Sequence, residues 1–249
     1  MKKIASFLRN ELFQHAVSVI YFLVLIGECF ILSEKYYAHY EYRIFTRPAL
    51  LPILLFAFLM QIISRNHLLI IFAMASAWTA DYLTISTEVY KQWWGLGLYG
   101  LSFVFYAIQY FQLEWFSFRN GKLALFISLG GLLGFIGGFE YLKITRDVFV
   151  TNLNYIFLYA TCLALLSYSI LYVFTNNKTF DFRFALIALI LLFCSNMIFE
   201  VSCFVLHRKY HIIDSVSAFC YGTYTFLLVR GTLRVKYKID GADYFNRGE

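Results

Sequence analysis

Three carboxylates stand where a carboxylate is costly. Glu28, Asp81 and Glu200 each lie inside a run of apolar residues, and Asn196 precedes Glu200 by four positions. A charge near the centre of a membrane helix costs roughly 2.5–3.5 kcal/mol on insertion scales, so such groups face protein or water and mark functional sites by default. Asp81 sits six residues from the end of its run, about 9 Å deep at 1.5 Å per residue. Its side chain is too short to reach the surface from there. Asn196 and Glu200, one turn apart, share a helix face, with Ser195 beside them. An amide and a carboxyl so placed can orient a water and exchange its proton. Asp214 and Arg47 fall at the same expected depth, so one polar cavity would satisfy five ionisable groups. A structural ion-pair network, for instance Glu28 with Arg47, is the competing arrangement.

Other reactive residues point to less. His207 and His211 are four apart, Asp214 follows three later, and His39 lies in another loop. That spacing is compatible with zinc, but Arg208 and Lys209 between the histidines oppose a cation, and no metal site is expected. The five cysteines, Cys29, Cys162, Cys194, Cys203 and Cys220, all lie in apolar runs without ligand spacing. They read as small buried hydrophobes. Nothing calls for a cofactor.

The elements that carry these residues follow from composition. Of 249 residues, 61% are apolar, 21% aromatic and 14% charged, against about 45–50% apolar and about 25% charged in soluble domains. An ordinary soluble enzyme, a disordered chain and a secreted disulfide scaffold are thereby excluded. The expected fold is all-α, a single integral membrane domain over 1–249 with eight transmembrane helices. The apolar runs place them at about 15–33, 48–64, 67–87, 93–115, 122–139, 150–174, 182–206 and 212–233. Pro48 and Pro52 would open the second helix. Glycines 130, 131, 134, 137 and 138 on the fifth would admit a close helix neighbour. Trp93, Trp94 and Trp115 sit near boundaries, as interfacial aromatics do.

The net charge of +6 comes from Lys and Arg at the ends of apolar runs, which indicates topology and no nucleic-acid partner. The majority fall on the side shared by both termini, predicting both termini in the cytoplasm and the acids in the outer half of the membrane. Lys2, Lys3 and Arg9 lead into the first run with no small-residue cleavage site after it, so it reads as a retained helix. Residues 2–12 present Ile4, Phe7, Leu8 and Leu12 on one face, as an interfacial segment would. Short loops without glycosylation-type ectodomains fit a bacterial inner membrane.

Eight spans, an acid in the third and a polar pair in the seventh resemble the YhhN family, whose characterised members are lysoplasmalogenases. Arg47-Pro48-Ala49-Leu50 is similar to its basic-residue-plus-Pro segment. Ser76-Ala77-Trp78-Thr79-Ala80-Asp81 resembles its Gly-Asp motif, with Ala80 for Gly. Ser195-Asn196, followed by Phe204, resembles its Ser-Asp motif, and Tyr221 lies in a helix similar to its Tyr-containing last span. The chain departs from the family where Asn196 replaces a second aspartate, where helix four lacks a histidine, and where Tyr224 replaces a glutamine.

The resemblance implies hydrolysis of a vinyl ether in a lysoplasmalogen-type lipid. Protonation of the vinyl carbon gives an oxocarbenium ion that water attacks, so an acid and a second group that activates water or stabilises the cation are needed. Two carboxyls can divide those roles. Asp81 would be one, Glu200 would substitute for the missing second, and Asn196 would orient the water. Arg47, Ser195, Glu28 and Tyr221 would bind substrate, Arg47 by forking onto its phosphate. The partner is a membrane lipid or lysolipid. A catalytically silent lipid-binding relative is the alternative, and a proton-coupled transporter is the third.

Overall fold

The computed structural model describes residues 11–33, 41–64, 67–85, 89–112, 122, 124–133, 136, 153–176, 183–200 and 211–234. They form α1 (Glu11–Leu32), α2 (Arg43–Ser64), α3 (Leu68–Ile85), α4 (Val89–Phe111), a short α5 (Ala124–Leu133), α6 (Leu153–Asn176), α7 (Arg183–Glu200) and α8 (His211–Arg234). No strand occurs among the described residues. In lipid a helix satisfies its own backbone groups, which an open strand cannot do. Five of these helices, α1, α2, α3, α6 and α8, are long and apolar enough to cross a membrane.

The surface supports the same conclusion. Leu23 and Phe30 on α1, Phe56 on α2, Phe72 on α3 and Ile190 on α7 are exposed, whereas Glu28, Asp81, Gln109, Ser169 and Thr232 are buried. So many large apolar side chains on the outside, on helices of this length and hydropathy, mark a membrane protein. Hydroxyls within the helices satisfy themselves locally. Ser167 bonds the carbonyl of Leu163, Thr225 that of Tyr221 and Thr232 that of Leu228, each four residues back.

Each long helix packs on the next: α1 on α2, α2 on α3, α3 on α4, α4 on α6, α6 on α7 and α7 on α8. α8 returns to α1, closing a ring, and α2 also touches α8. Two glycines set how closely this ring can draw in. A Cβ on Gly222 of α8 would lie 2.3 Å from Leu25 of α1, and Tyr21 of α1 donates a hydrogen bond to the Gly222 carbonyl at 2.7 Å. A Cβ on Gly95 of α4 would lie 2.6 Å from Thr84 and 3.1 Å from the Ala80 carbonyl of α3. That second approach brings α4 against the stretch of α3 that carries Asp81.

Several boundaries differ from the sequence expectation. α2 begins at Arg43, so Pro48 and Pro52 lie inside the helix and do not open it. The cause is local, because Arg43 and Thr46 are tied to Glu28 of α1 and extend the helix toward that end. α4 begins at Val89 and ends at Phe111, four residues earlier at each end than its apolar run suggests. The close approaches expected of the fifth helix are not seen at its described glycines: Gly130 has nothing within 4 Å of a Cβ, and Gly131 meets only Phe193 of α7 at 3.8 Å. Glycines 134, 137 and 138 lie outside the described residues, as do Trp115 and residues 2–10.

Gly95→Ala is expected to cost about 1–3 kcal/mol, because its neighbours include backbone that cannot give way. Gly130→Ala should stay within about 0.5 kcal/mol of the parent. Unfolding of both variants in the same detergent, compared with the parent, checks the pair.

Candidate functional site

Four helices converge on one carboxylate. Asp81 is fully buried on α3. Its Oδ1 accepts hydrogen bonds from Tyr99 of α4 at 2.6 Å, from Tyr221 of α8 at 2.8 Å and from Arg47 Nε of α2 at 3.0 Å. Arg47 Nη2 also donates to the Tyr99 hydroxyl at 3.0 Å, and its guanidinium lies 4.9 Å from the centre of the Tyr221 ring. The Tyr99 and Tyr221 rings meet edge to face at 5.9 Å. Thr84 Oγ1 bonds the Asp81 carbonyl at 3.1 Å and lies 3.4 Å from the Tyr99 hydroxyl. The arrangement is lopsided: Oδ1 takes three donors, and Oδ2, equally buried, has no hydrogen-bond partner among the described residues.

A buried ion pair of this kind is held by geometry. Taking both charges out of water is costly, and extra donors must satisfy the remaining lone pairs. Here two tyrosines share that work with Arg47. Asp81 lies four residues before the described end of α3, nearer the helix terminus than the expected six, and burial by α2, α4 and α8 is what isolates it.

The other candidates fall around this centre. Glu28 accepts from Arg43 Nε and Thr46 Oγ1, each at 2.5 Å, so both of its oxygens are engaged. It clips α1 to the start of α2, and no substrate contact is needed to explain it. The expected pairing of Glu28 with Arg47 is thus replaced by two pairs, Glu28 with Arg43 and Asp81 with Arg47. Arg43 and Arg47 are one turn apart on α2 and reach to opposite neighbours. Arg47 consequently grips the acid itself, in place of the rim position expected for a phosphate anchor.

Ser195 bonds the Ser217 carbonyl at 3.1 Å and lies 3.3 Å from the Ser217 hydroxyl, which makes it part of the α7–α8 seam. Asn196 turns the other way. Its Oδ1 accepts from the Tyr159 hydroxyl of α6 at 2.9 Å, and its Nδ2 is buried without a partner among the described residues. Tyr224 of α8 is buried beside the first group, its ring meeting that of Tyr221 edge to face at 5.2 Å. Glu200 ends α7, and its side chain lies outside the described residues, as do those of His39, Cys203, His207 and His211.

Tyr99, Tyr159 and Arg43 were not singled out by sequence reasoning. The chain holds 20 tyrosines, so a single one in an apolar helix carries no signal. The available signal was collective. Tyr99, Ser102, Tyr106, Gln109 and Tyr110 recur on one face of α4, and all are buried.

The chain matches no protein-family model, no curated protein and no solved structure.

Arg47→Met should destabilise the protein by roughly 3–5 kcal/mol, since it strands the Asp81 charge in the interior. Adding Asp81→Asn should recover a large part of that loss. A double-mutant cycle by chemical unfolding measures the coupling, and additive losses would show that the two residues do not act as a pair.

Proposed function

We propose that the chain is a multi-pass membrane hydrolase that cleaves the vinyl ether of lysoplasmalogen-type lipids at Asp81. In this reading all eight helices span a bacterial inner membrane, both termini are cytoplasmic, and the Asp81 centre lies in the outer half. The observation that carries it is the division of labour on one buried carboxylate, with three donors on Oδ1 and, among the described residues, none on Oδ2.

The chemistry uses both oxygens. Oδ2 holds the proton in the reactive form and transfers it to the vinyl carbon remote from the ether oxygen, leaving an oxocarbenium ion and an Asp81 carboxylate. As charge grows on the carboxylate, the bonds from Arg47, Tyr99 and Tyr221 strengthen, which stabilises the transition state more than the ground state. Water adds to the cation and its released proton returns to Oδ2. The hemiacetal then collapses to a long-chain aldehyde and the chain-free glycerophosphate headgroup alcohol, so the net reaction consumes one water. Asn196 orients that water through its free Nδ2, and Glu200, one turn along α7, is the second carboxyl. Arg47 serves the acid in this scheme, and Glu28 positions α2 through Arg43 and Thr46.

A second reading, a catalytically silent lipid-binding protein, is favoured by one observation. Asn196 cannot titrate, and its amide oxygen is already held by Tyr159.

Purified protein in lipid nanodiscs, supplied with lysoplasmalogen, should release aldehyde. Asp81→Asn and Glu200→Gln should each slow release by about 10²–10⁴-fold, the usual worth of a general acid or base. If neither change alters the rate, the assigned roles are wrong. Lipid binding without aldehyde from the parent protein would select the silent reading.

A further inference from the structure

The exposed surface of three helices changes chemistry toward one end of the bundle. On α3 the exposed stripe passes from Leu68 and Phe72 to Trp78 and Tyr82, and on α4 from Ile108 and Leu101 back to Trp94 and Tyr90. On α2 it passes from Ile63 and Phe56 back to Phe45, with Tyr42 just before the helix. Among the described residues, Tyr42, Trp78, Tyr82, Tyr90 and Trp94 are all the tyrosines and tryptophans that are exposed. They lie where α2 begins, α3 ends and α4 begins, the end that the Arg47–Asp81–Tyr99 bonds tie together. Tyr and Trp gather at membrane–water boundaries, where the ring meets hydrocarbon and its polar atom stays wet.

Charge and length place the boundary at the same level. Glu41, one residue outside Tyr42, is exposed, and an exposed carboxylate is costly in hydrocarbon. At 1.5 Å per residue, Tyr42 lies about 33 Å from the far end of α2 at Ser64, and Tyr90 about 32 Å from the far end of α4 at Phe111. A hydrocarbon core is roughly 30 Å thick. Cationic groups stand at this end too. Lys91 Nζ lies 5.8 Å from the centre of the Tyr90 ring. Arg47 keeps 19% of its side chain exposed where Asp81 keeps 0%, and its Nη1, which makes no hydrogen bond among the described residues, is not buried. A layer of lipid phosphates complements such groups.

Asp81 falls within this girdle. It lies between Trp78 and Tyr82 on α3, and its partners Arg47 and Tyr99 are each five residues, about 7.5 Å, inward of Tyr42 and Trp94. We propose that the α2–α3–α4 flank is a docking surface for phospholipid headgroups, and that the membrane–water boundary crosses the protein at the level of Asp81. A second copy of the chain or another membrane protein would require neither the change along each stripe nor the match to bilayer thickness. The surface is independent of the lipid chemistry. Its consequence for catalysis rests on the hydrolase reading: the lipid bond found at this depth is the one that joins a chain to the glycerol, so Asp81 acts beside the headgroup and not among the chain ends.

Tryptophan quenching in phosphatidylcholine nanodiscs, without substrate, tests it. The full chain keeps either Trp78 or Trp94, with its other tryptophans changed to Phe, and the bilayer carries a nitroxide at the headgroup or near the chain end. The headgroup label is expected to quench Trp78 and Trp94 severalfold more than the chain-end label does. Phe72→Trp, with the four native tryptophans changed to Phe, reports from the same stripe about 9 Å deeper and should reverse that order, whereas Tyr82→Trp in the same background should keep it. The two single-tryptophan forms are independent, so either one that folds gives the reading. Quenching of Trp78 and Trp94 by the chain-end label as strong as by the headgroup label overturns the proposal. So does the absence of quenching by either label, which would mean that protein covers the flank. Aldehyde release is not read here, so these outcomes are distinguishable from failure of the hydrolase reading.

Discussion

A single carboxylate oxygen organises this protein. Asp81 Oδ1 gathers a guanidinium and two phenols from α2, α4 and α8, and a charge so deeply buried tolerates no looser arrangement. The surrounding fold can be read as the means of bringing those donors within 3 Å. Gly95 lets α4 come close enough for Tyr99. Gly222 and the Tyr21 hydrogen bond fix α8 against α1, one residue beyond Tyr221. The Glu28–Arg43 clip settles the rotation of α2, from which Arg47 reaches the opposite way. Mutual dependence of this kind makes the centre rigid.

The same interaction accounts for what is left open. Satisfying the charge through Oδ1 alone leaves Oδ2 as a buried acceptor with no partner among the described residues, and Asn196 Nδ2 is a buried donor in the same condition. Tyr224 packs edge to face on Tyr221, a donor to Oδ1, and Tyr159 holds Asn196. Two buried atoms of opposite hydrogen-bonding character are thus left unpaired among the described residues. Glu28 differs, with both of its oxygens engaged.

Much of this architecture was legible in the residues. Lipid leaves the backbone no alternative to helix, so the long apolar runs marked helices directly; five of those described are long and apolar enough to cross a membrane, and several edges moved. Those edges were set by tertiary clips that no periodicity contains, as where Glu28 extends α2 outward by five residues from Pro48 to Arg43. Asp81 stood out because an acid in an apolar run is costly, Arg47 because it falls at the same expected depth, and Tyr221 came with the resemblance to the YhhN family. Their partners did not follow, since depth along a helix says how far down a group lies and not which neighbour it faces. Arg43 and Arg47 are one turn apart on the same helix, and only the packing of α1 and α3 against α2 decides which acid each one takes. Tyr99, Tyr159 and Tyr106 were concealed by abundance: in so aromatic a chain, a phenol shows its role only through what its oxygen touches.

An experimental density map of the protein in lipid nanodiscs tests the central claim most directly, at a resolution that separates the two Asp81 oxygens. The account predicts Oδ1 enclosed by Arg47, Tyr99 and Tyr221, and a peak of non-protein density, water or lipid, within hydrogen-bond distance of Oδ2. A map in which Oδ2 is sealed by a protein donor, or in which Arg47 turns away from Asp81, would contradict it.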